Sequence, residues 1–220
     1  DMVKVAANCD AGLVVMHMRG TPKTMQEAPA YDDVVHEVEQ EMMRMVTRLT
    51  TEGVEPGRIC LDVGIGFGKN VIHNLALVQA TAHFAELGFP LMAAVSRKSF
   101  IGAMSAESIP AMRDRASALC AAFMVDQGAR IVRVHDVATT REMLRDSHRV
   151  VIGLGSNMGN SCEHIDDALA SMRLDPDIWV GAVSEYVTSA PAYLEAQAPF
   201  VNAVAVIQTT LEPSELLRVL

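Results

Sequence analysis

The stretch ICLDVGIGFGKN, residues 59–70, opens as a short apolar run, reaches an acid at Asp62 and then breaks into a loop punctuated by Gly64, Gly66 and Gly68. An apolar run of that length, bounded by glycine, reads as a buried strand with its reactive residues at the C-terminal edge. Three other segments repeat the form: VVMHMRGTP at residues 14–22, LMAAVSRKSF at 91–100 and IVRVHDV at 131–137. Helix-patterned stretches lie between them, so the order is strand, chemically loaded loop, helix, four times over. That is the grammar of a β/α barrel, in which function collects at the C-terminal ends of parallel strands.

Moving outward, the expected strands are 13–18, 58–63, 90–96 and 130–135. A long helix is expected over residues 32–52, where Val34, Val38, Met42, Met45 and Val46 recur at three-to-four spacing and mark a buried stripe. Met42, Met43 and Met45 read as adaptable core filling. Glu37, Glu39 and Glu41 with Arg44 and Arg48 read as a solvated helix face. Further helices are expected at 73–87 and 110–127. After about Ser147 the grammar changes to strand (150–154), helix (162–172) and two strands (178–187 and 200–208). This βαββ order predicts an α+β domain with an antiparallel sheet. The boundary falls near residues 146–149, giving domains 1–147 and 148–220.

Half of the 220 residues are hydrophobic and 20% are charged, enough for a real core and one or two domains. A net charge of −9 with no basic stripe speaks against a nucleic-acid partner, since phosphate binding needs a basic face. The longest apolar runs, residues 13–18 and 201–207, are far shorter than the roughly 18–20 residues that span a bilayer, so no membrane partner is expected. Cys9, Cys60, Cys120 and Cys162 are scattered without metal or redox spacing, and buried reduced thiols in a cytoplasmic setting are the expectation. The chain opens on Asp1 inside a helix-like stretch and ends inside another at 213–220, so a piece of a longer protein is expected.

The glycine loop invites two readings that fail. A P-loop needs a glycine where Val63 stands and Ser or Thr where Asn70 stands, and a dinucleotide fingerprint needs a third glycine where Lys69 stands. The loop can instead bring backbone close to a flat ligand, with Phe67 offering a ring. Asp62 either holds its own turn or accepts two adjacent N–H donors from an amino-pyrimidine edge. Lys98, in Ser96-Arg97-Lys98, is either a solvated lysine or a cation for an anionic or carbonyl group. Arg133 and His135 alternate along one expected strand and so face one side, as a polar cluster or as a grip on phosphate or pyrophosphate.

Residues 16–26 (MHMRGTPKTMQ), 61–69 (LDVGIGFGK), 96–99 (SRKS) and 133–137 (RVHDV) together resemble dihydropteroate synthase, in order and spacing, over roughly residues 1–147. The resemblance implies a TIM (β/α)8 barrel, here its C-terminal half, that joins a dihydropterin methyl pyrophosphate to p-aminobenzoate. Pyrophosphate leaves and dihydropteroate forms for folate synthesis. It further implies that Asp62 and Met16 hold the pterin beside Gly66. Lys98, Ser96 and Phe67 would serve pterin and aminobenzoate, and Arg133 and His135 would grip the pyrophosphate. A family proline is Val63 here, which loosens a turn without removing a reacting group. The family's first four strands carry the rest of the pterin site and the residue linked to magnesium, so ligands for Mg2+ are expected outside this chain. Synthase barrels often pair, which is compatible with a homodimer.

Residues 151–160 (VIGLGSNMGN) and 184–202 resemble the N-terminal part of the pterin pyrophosphokinase, an α+β ferredoxin-like enzyme that makes the synthase's substrate. The resemblance puts Ser189, Pro191, Phe200 and Asn202 on pterin-binding positions, with Phe200 stacking and Asn202 hydrogen-bonding; the family usually has Thr where Ser189 stands. ATP would be the kinase part's substrate, but the family's magnesium aspartates and ATP-binding arginines fall beyond Leu220, so kinase activity of this chain is not expected. A bifunctional folate-synthesis enzyme is therefore expected. The rival readings are a methyltetrahydrofolate-dependent methyltransferase barrel, which needs no pyrophosphate grip, and a noncatalytic pterin-binding or assembly module.

Overall fold

A computed structural model describes residues 2–191 and 197–219. They form two compact units, one of residues 1–100 with 124–135 and one of residues 101–123 with 136–220.

In the first unit, α1 (Met2–Ala7) precedes β1 (Leu13–Met16), followed by α2 (Val34–Thr51) and β2 (Ile59–Asp62). Then come α3 (Val71–Gln79), α4 (Thr81–Ala85), β3 (Met92–Ala93) and β4 (Ile131–Val132). β1 pairs in parallel with β2, β3 pairs in parallel with β4, and a bridge between Leu61 and Leu91 joins the two pairs. Four neighbouring parallel strands thus follow chain order, so all their C-terminal ends emerge on one side.

α2 forms where its pattern is strongest. Val34, Val38, Met42 and Val46 are buried, and the Asp33 carboxylate caps the first turn by accepting from the N–H groups of Val35 (3.0 Å) and His36 (3.1 Å). Asn70 caps α3 in the same way, accepting from His73 N–H. The helix expected over 73–87 is interrupted at Ala80, between α3 and α4.

In this first unit all strands but β2 are clearly shorter than expected. Beyond Ala93 and Val132 the ladder gives way to side chains: Ser96 Oγ accepts the His135 backbone N–H at 3.2 Å. Arg133 and His135 therefore stand on the loop after β4 rather than alternating along it, a correction to the sequence reading. The thiols also divide: Cys60 and Cys120 are buried, Cys9 and Cys162 exposed, and all four are free. Cys9 and Cys162 thus depart from the expectation of buried thiols.

α5 (Ser99–Ser105) and α6 (Asp114–Asp126) run across the boundaries of the two units. The second unit continues with α7 (Val137–Asp146), β5 (His148–Ser156), α8 (Ser161–Leu174), β6 (Ile178–Val183), β7 (Val187–Ser189), β8 (Phe200–Thr209) and α9 (Pro213–Val219). β8 is central: β5 and β6 flank it, and β7 joins it as well, all antiparallel. Ile165, Leu169 and Met172 of α8 pack on Ile152, Val180, Ala205 and Ile207 of the sheet. A register shift at Gly181 lets the Phe123 ring approach, since a Cβ there would stand 2.3 Å from the ring. Among the described residues no helix is long and apolar enough to cross a membrane.

Candidate functional site

At the C-terminal ends of the parallel strands, Phe67, Ala94, Ser96, Lys98, Arg133, Val134 and His135 line a cavity of about 270 Å³. Five residues singled out in the sequence, from three strand-end loops, thus meet in one place. Asp62 ends β2 with 2% exposure. Its Oδ1 accepts the Gly64 N–H at 2.9 Å and its Oδ2 lies 3.6 Å from Arg133 Nη2. The turn-holding alternative for Asp62 is thus seen at one oxygen, while the other faces a cation. Met16 stands opposite Asp62 in the β1–β2 register and is half-buried, beside the acid rather than among the residues lining the cavity.

Lys98 donates to the Ile65 carbonyl, its Nζ lies 4.8 Å from the centre of the Phe67 ring, and its stem passes Gly66, where a Cβ would stand 3.3 Å from Lys98 Cδ. Burial brings its pKa down to about 8 against the pull of Asp62, with Arg133 adding to the lowering. The turn that aims Lys98 passes through Arg97 at φ 59°, a left-handed conformation that a non-glycine residue adopts only where surrounding structure imposes it. Ser96 Oγ also sits 2.9 Å from His135 Nδ1, so one hydroxyl holds both the backbone and the ring of His135.

Behind this cavity lies a polar cluster that motif reading passed over. His17 (0% exposed) and Lys69 (3%) are buried side by side, with Lys69 Nζ 2.9 Å from His17 Nδ1. His17 Nε2 lies 2.9 Å from Glu41, and Arg19 forms ion pairs with both Glu37 and Glu41. Glu39 bonds His83 at 2.9 Å. The acidic face of α2 is thus not simply solvated, as its charge pattern suggested, but holds partners from other segments. The only signal in the sequence was the polar spacing of Met16-His17-Met18-Arg19, which does not name its partners.

Burial, followed by the Lys69 ammonium, lowers His17 to about 4 against the attraction of Glu41. A base whose folded pKa is lowered stays neutral while the unfolded chain takes up a proton. Its contribution is whole above pH 6.5 and is lost as pH falls from 6.5 to about 4. The loss is expected to reach roughly 3 kcal/mol. Urea unfolding of the first unit at pH 7, 5.5 and 4.5 checks this: His17→Gln should flatten the acid side of the stability profile, and an unchanged slope would refute it.

In the second unit, Ser189, Phe200 and Asn202 come together where β7 meets β8. Ser189 pairs with Phe200 in register, and Asn202 Nδ2 donates to Ser189 Oγ (2.9 Å) and to the Val187 carbonyl (3.3 Å). Gly155 faces the Asn202 amide, leaving a gap that a Cβ would narrow to 3.1 Å. Pro191 follows two residues after β7 and is half-buried. Among the described residues no group of three or more His, Cys, Asp or Glu side chains is gathered as a metal site requires, and Asp62 is engaged by Arg133 and Gly64.

A cavity beyond the C-terminal ends of parallel strands, with polar groups converging from successive loops, defines an α/β protein of the strand-end ligand-binding class. Residues 1–135 match the family described as pterin binding enzyme, and the chain belongs to it. Residues 151–220 match 7,8-dihydro-6-hydroxymethylpterin-pyrophosphokinase, so the chain joins two enzyme families in one polypeptide. The dihydropteroate synthase of Escherichia coli is 42% identical over 143 residues, which are 65% of this chain and 50% of that protein. That of Neisseria meningitidis serogroup B is 44% identical over 144 residues, 64% and 50% of the two chains. The chain spans about half the length of these relatives. Among solved structures, Thermus thermophilus dihydropteroate synthase in complex with 6HMPPP has a TM-score of 0.63 at 40% identity, covering 66% of this chain and 57% of that one. The same enzyme in complex with 4-aminobenzoate gives 0.63 and 40%, covering 66% and 56%.

Proposed function

We propose that this chain belongs to a bifunctional folate-synthesis enzyme. Its part over residues 1–147 is read as the C-terminal half of a TIM barrel that condenses (7,8-dihydropterin-6-yl)methyl diphosphate with p-aminobenzoate. Its part over 148–220 is read as a partial ferredoxin-like pyrophosphokinase domain. The observation that carries the reading is the single cavity shared by Phe67, Ser96, Lys98, Arg133 and His135, with Asp62 paired to Arg133 at its edge. The relatives are named as dihydropteroate synthases, and solved neighbours hold 6HMPPP, 4-aminobenzoate or 7,8-dihydropteroate.

In this reading the Asp62 carboxylate accepts the paired N–H groups of the pterin edge, with Met16 and Gly66 bounding the ring. Arg133 and the His135 ring hold the diphosphate. The bond between the pterin methyl carbon and the diphosphate oxygen breaks, the electron pair leaving with pyrophosphate. The aminobenzoate nitrogen then bonds to that carbon and releases a proton. The cations beside the leaving group stabilise its growing charge, and positioning supplies the rest without a covalent protein intermediate. Phe67 and Ser96 flank the aminobenzoate. Lys98, with a pKa of about 8, is mostly an ammonium at neutral pH and donates to the pterin. Ser189, Pro191, Phe200 and Asn202 form a second pterin surface in the kinase part, whose co-substrate is ATP. Mg2+ is read as held by residues outside this chain, and no step is derived through it. The reading also includes a cytoplasmic location, a homodimer and no nucleic-acid partner.

The test is conversion of labelled p-aminobenzoate to dihydropteroate by the chain, alone and within a longer polypeptide supplying the rest of the relatives' length. Lys98→Ala is expected to slow turnover at least tenfold. Pterin binding with no turnover in either form would favour a noncatalytic module, and no pterin binding at all would sink both readings.

A further inference from the structure

Five successive carbonyls of the glycine loop are each held by a side chain. Lys69 donates to Gly64 O (3.1 Å) and Phe67 O (3.0 Å), Lys98 to Ile65 O, Gln26 to Gly66 O (2.7 Å) and Tyr31 to Gly68 O (3.0 Å). Three of the loop's N–H groups are also engaged: Gly64 donates to Asp62, Gly66 to Asn74 at 2.7 Å and Phe67 to Gly64 O at 3.0 Å. Such a loop is a scaffold whose shape is imposed from outside, not an anion nest with amides turned to a ligand.

Lys69 contributes most to this scaffold. Below its pKa of about 7 Lys69 is an ammonium, with three protons and no lone pair, and its acceptors here are Gly64 O, Phe67 O and His17 Nδ1. His17 must therefore accept at Nδ1, which puts the proton of its neutral ring on Nε2, facing Glu41. Glu41 pairs with Arg19, whose guanidinium lies 4.1 Å over the Tyr31 ring, and Tyr31 returns to the Gly68 carbonyl. The contacts close a circuit around the loop: Lys69, His17, Glu41, Arg19, Tyr31, Gly68. Burying an ammonium costs free energy that an apolar side chain of the same length would not. Charge at this position has its return in the loop's shape.

We propose that Lys69 is a positioning residue for the cavity, holding through the Gly64 and Phe67 carbonyls the segment that presents the Phe67 ring and the Ile65 carbonyl anchoring Lys98. As regards ligand affinity, this rests on the reading of the cavity as a pterin site. Neither Phe67 nor Lys98 would keep its place once the carbonyls flanking Ile65 and Gly66 lost their donor.

Two measurements on unliganded protein test the proposal independently of that reading. Nitrogen NMR at pH 6, where Lys69 is protonated and His17 neutral, of the wild-type protein labelled in histidine should show His17 with Nδ1 unprotonated and Nε2 protonated; the opposite tautomer would overturn the circuit. In Lys69→Met, the Phe67 ring resonances should move and the His17 pattern should change; a folded variant with both unaltered would overturn the proposal. If Lys69→Met does not fold, Tyr31→Phe opens the circuit at its other end, and unmoved Phe67 resonances there count against it equally. A third arm titrates a dihydropterin, for which Lys69→Met is expected to bind about tenfold more weakly, while unchanged affinity would contradict the positioning role. Wild-type protein that binds no pterin would refute the pterin reading, with the two NMR arms still judging Lys69.

Discussion

In an equilibrium titration with dihydropterin, Asp62→Asn is expected to bind about a hundredfold more weakly than the wild type while keeping its fold. The carboxylate is 2% exposed, so a ligand N–H meets it with little water to compete. Hydrogen bonds to a charged acceptor contribute about 1.5–3 kcal/mol. An amide keeps one acceptor, which turns to the Gly64 N–H as Oδ1 does now, and presents an NH2 group to the pterin's own donors. Loss of the charge also removes Arg133's partner. Asp62 raises the pKa of Lys98, so the variant should titrate Lys98 below its present value of about 8. The sign is testable by NMR on the same sample. A change in affinity below threefold would mean that Asp62 only holds its turn.

Gly64→Ala is expected to cost the first unit more than about 4 kcal/mol, enough to leave a marginal domain largely unfolded. Gly64 has φ +70°, and a Cβ built there would stand 1.8 Å from the His17 carbonyl oxygen and 2.9 Å from its carbon. The obstacle is backbone, which cannot rotate away as a side chain would. His17 is further tied at its N–H to the Asp62 carbonyl (2.9 Å) and at its ring to Lys69 and Glu41. Gly53→Ala separates clash from backbone strain: Gly53 has φ +96°, but nothing lies within 4 Å of its added Cβ. That substitution should cost only about 1–2 kcal/mol. Urea unfolding of the two variants side by side decides the matter, and equal losses would show that the close approach to His17 is not the cause.

The candidate residues were legible because each sits where chain chemistry changes abruptly. Asp62 ends an apolar run, Ser96 and Lys98 follow another, and Arg133 and His135 a third. α2 was legible through its stripe, which depends on contacts a few residues apart, whereas its Asp33 cap appears only in the structure. Less legible was the fate of charge. Glu41 looked solvated and Lys69 looked like a failed glycine position, yet they are two steps apart in one chain of contacts through buried His17. Nothing local to either residue distinguishes that arrangement from a surface one.

The sequence by itself determined the order of strand, reactive loop and helix, the apolar stripe of the long helix, and the residue types offered at each strand end. These follow from periodicity and turn chemistry, which act over one or two turns of chain. The tertiary structure decided that Lys69 meets His17 from 52 residues away, that Ser96 holds His135 from 39 residues away and that Asp62 faces Arg133. It also decided that His17 titrates near 4 and Lys69 near 7. Partner choice depends on which parallel strands become neighbours, and charge state on how much water remains around a group once they have. Both are fixed only when distant segments pack.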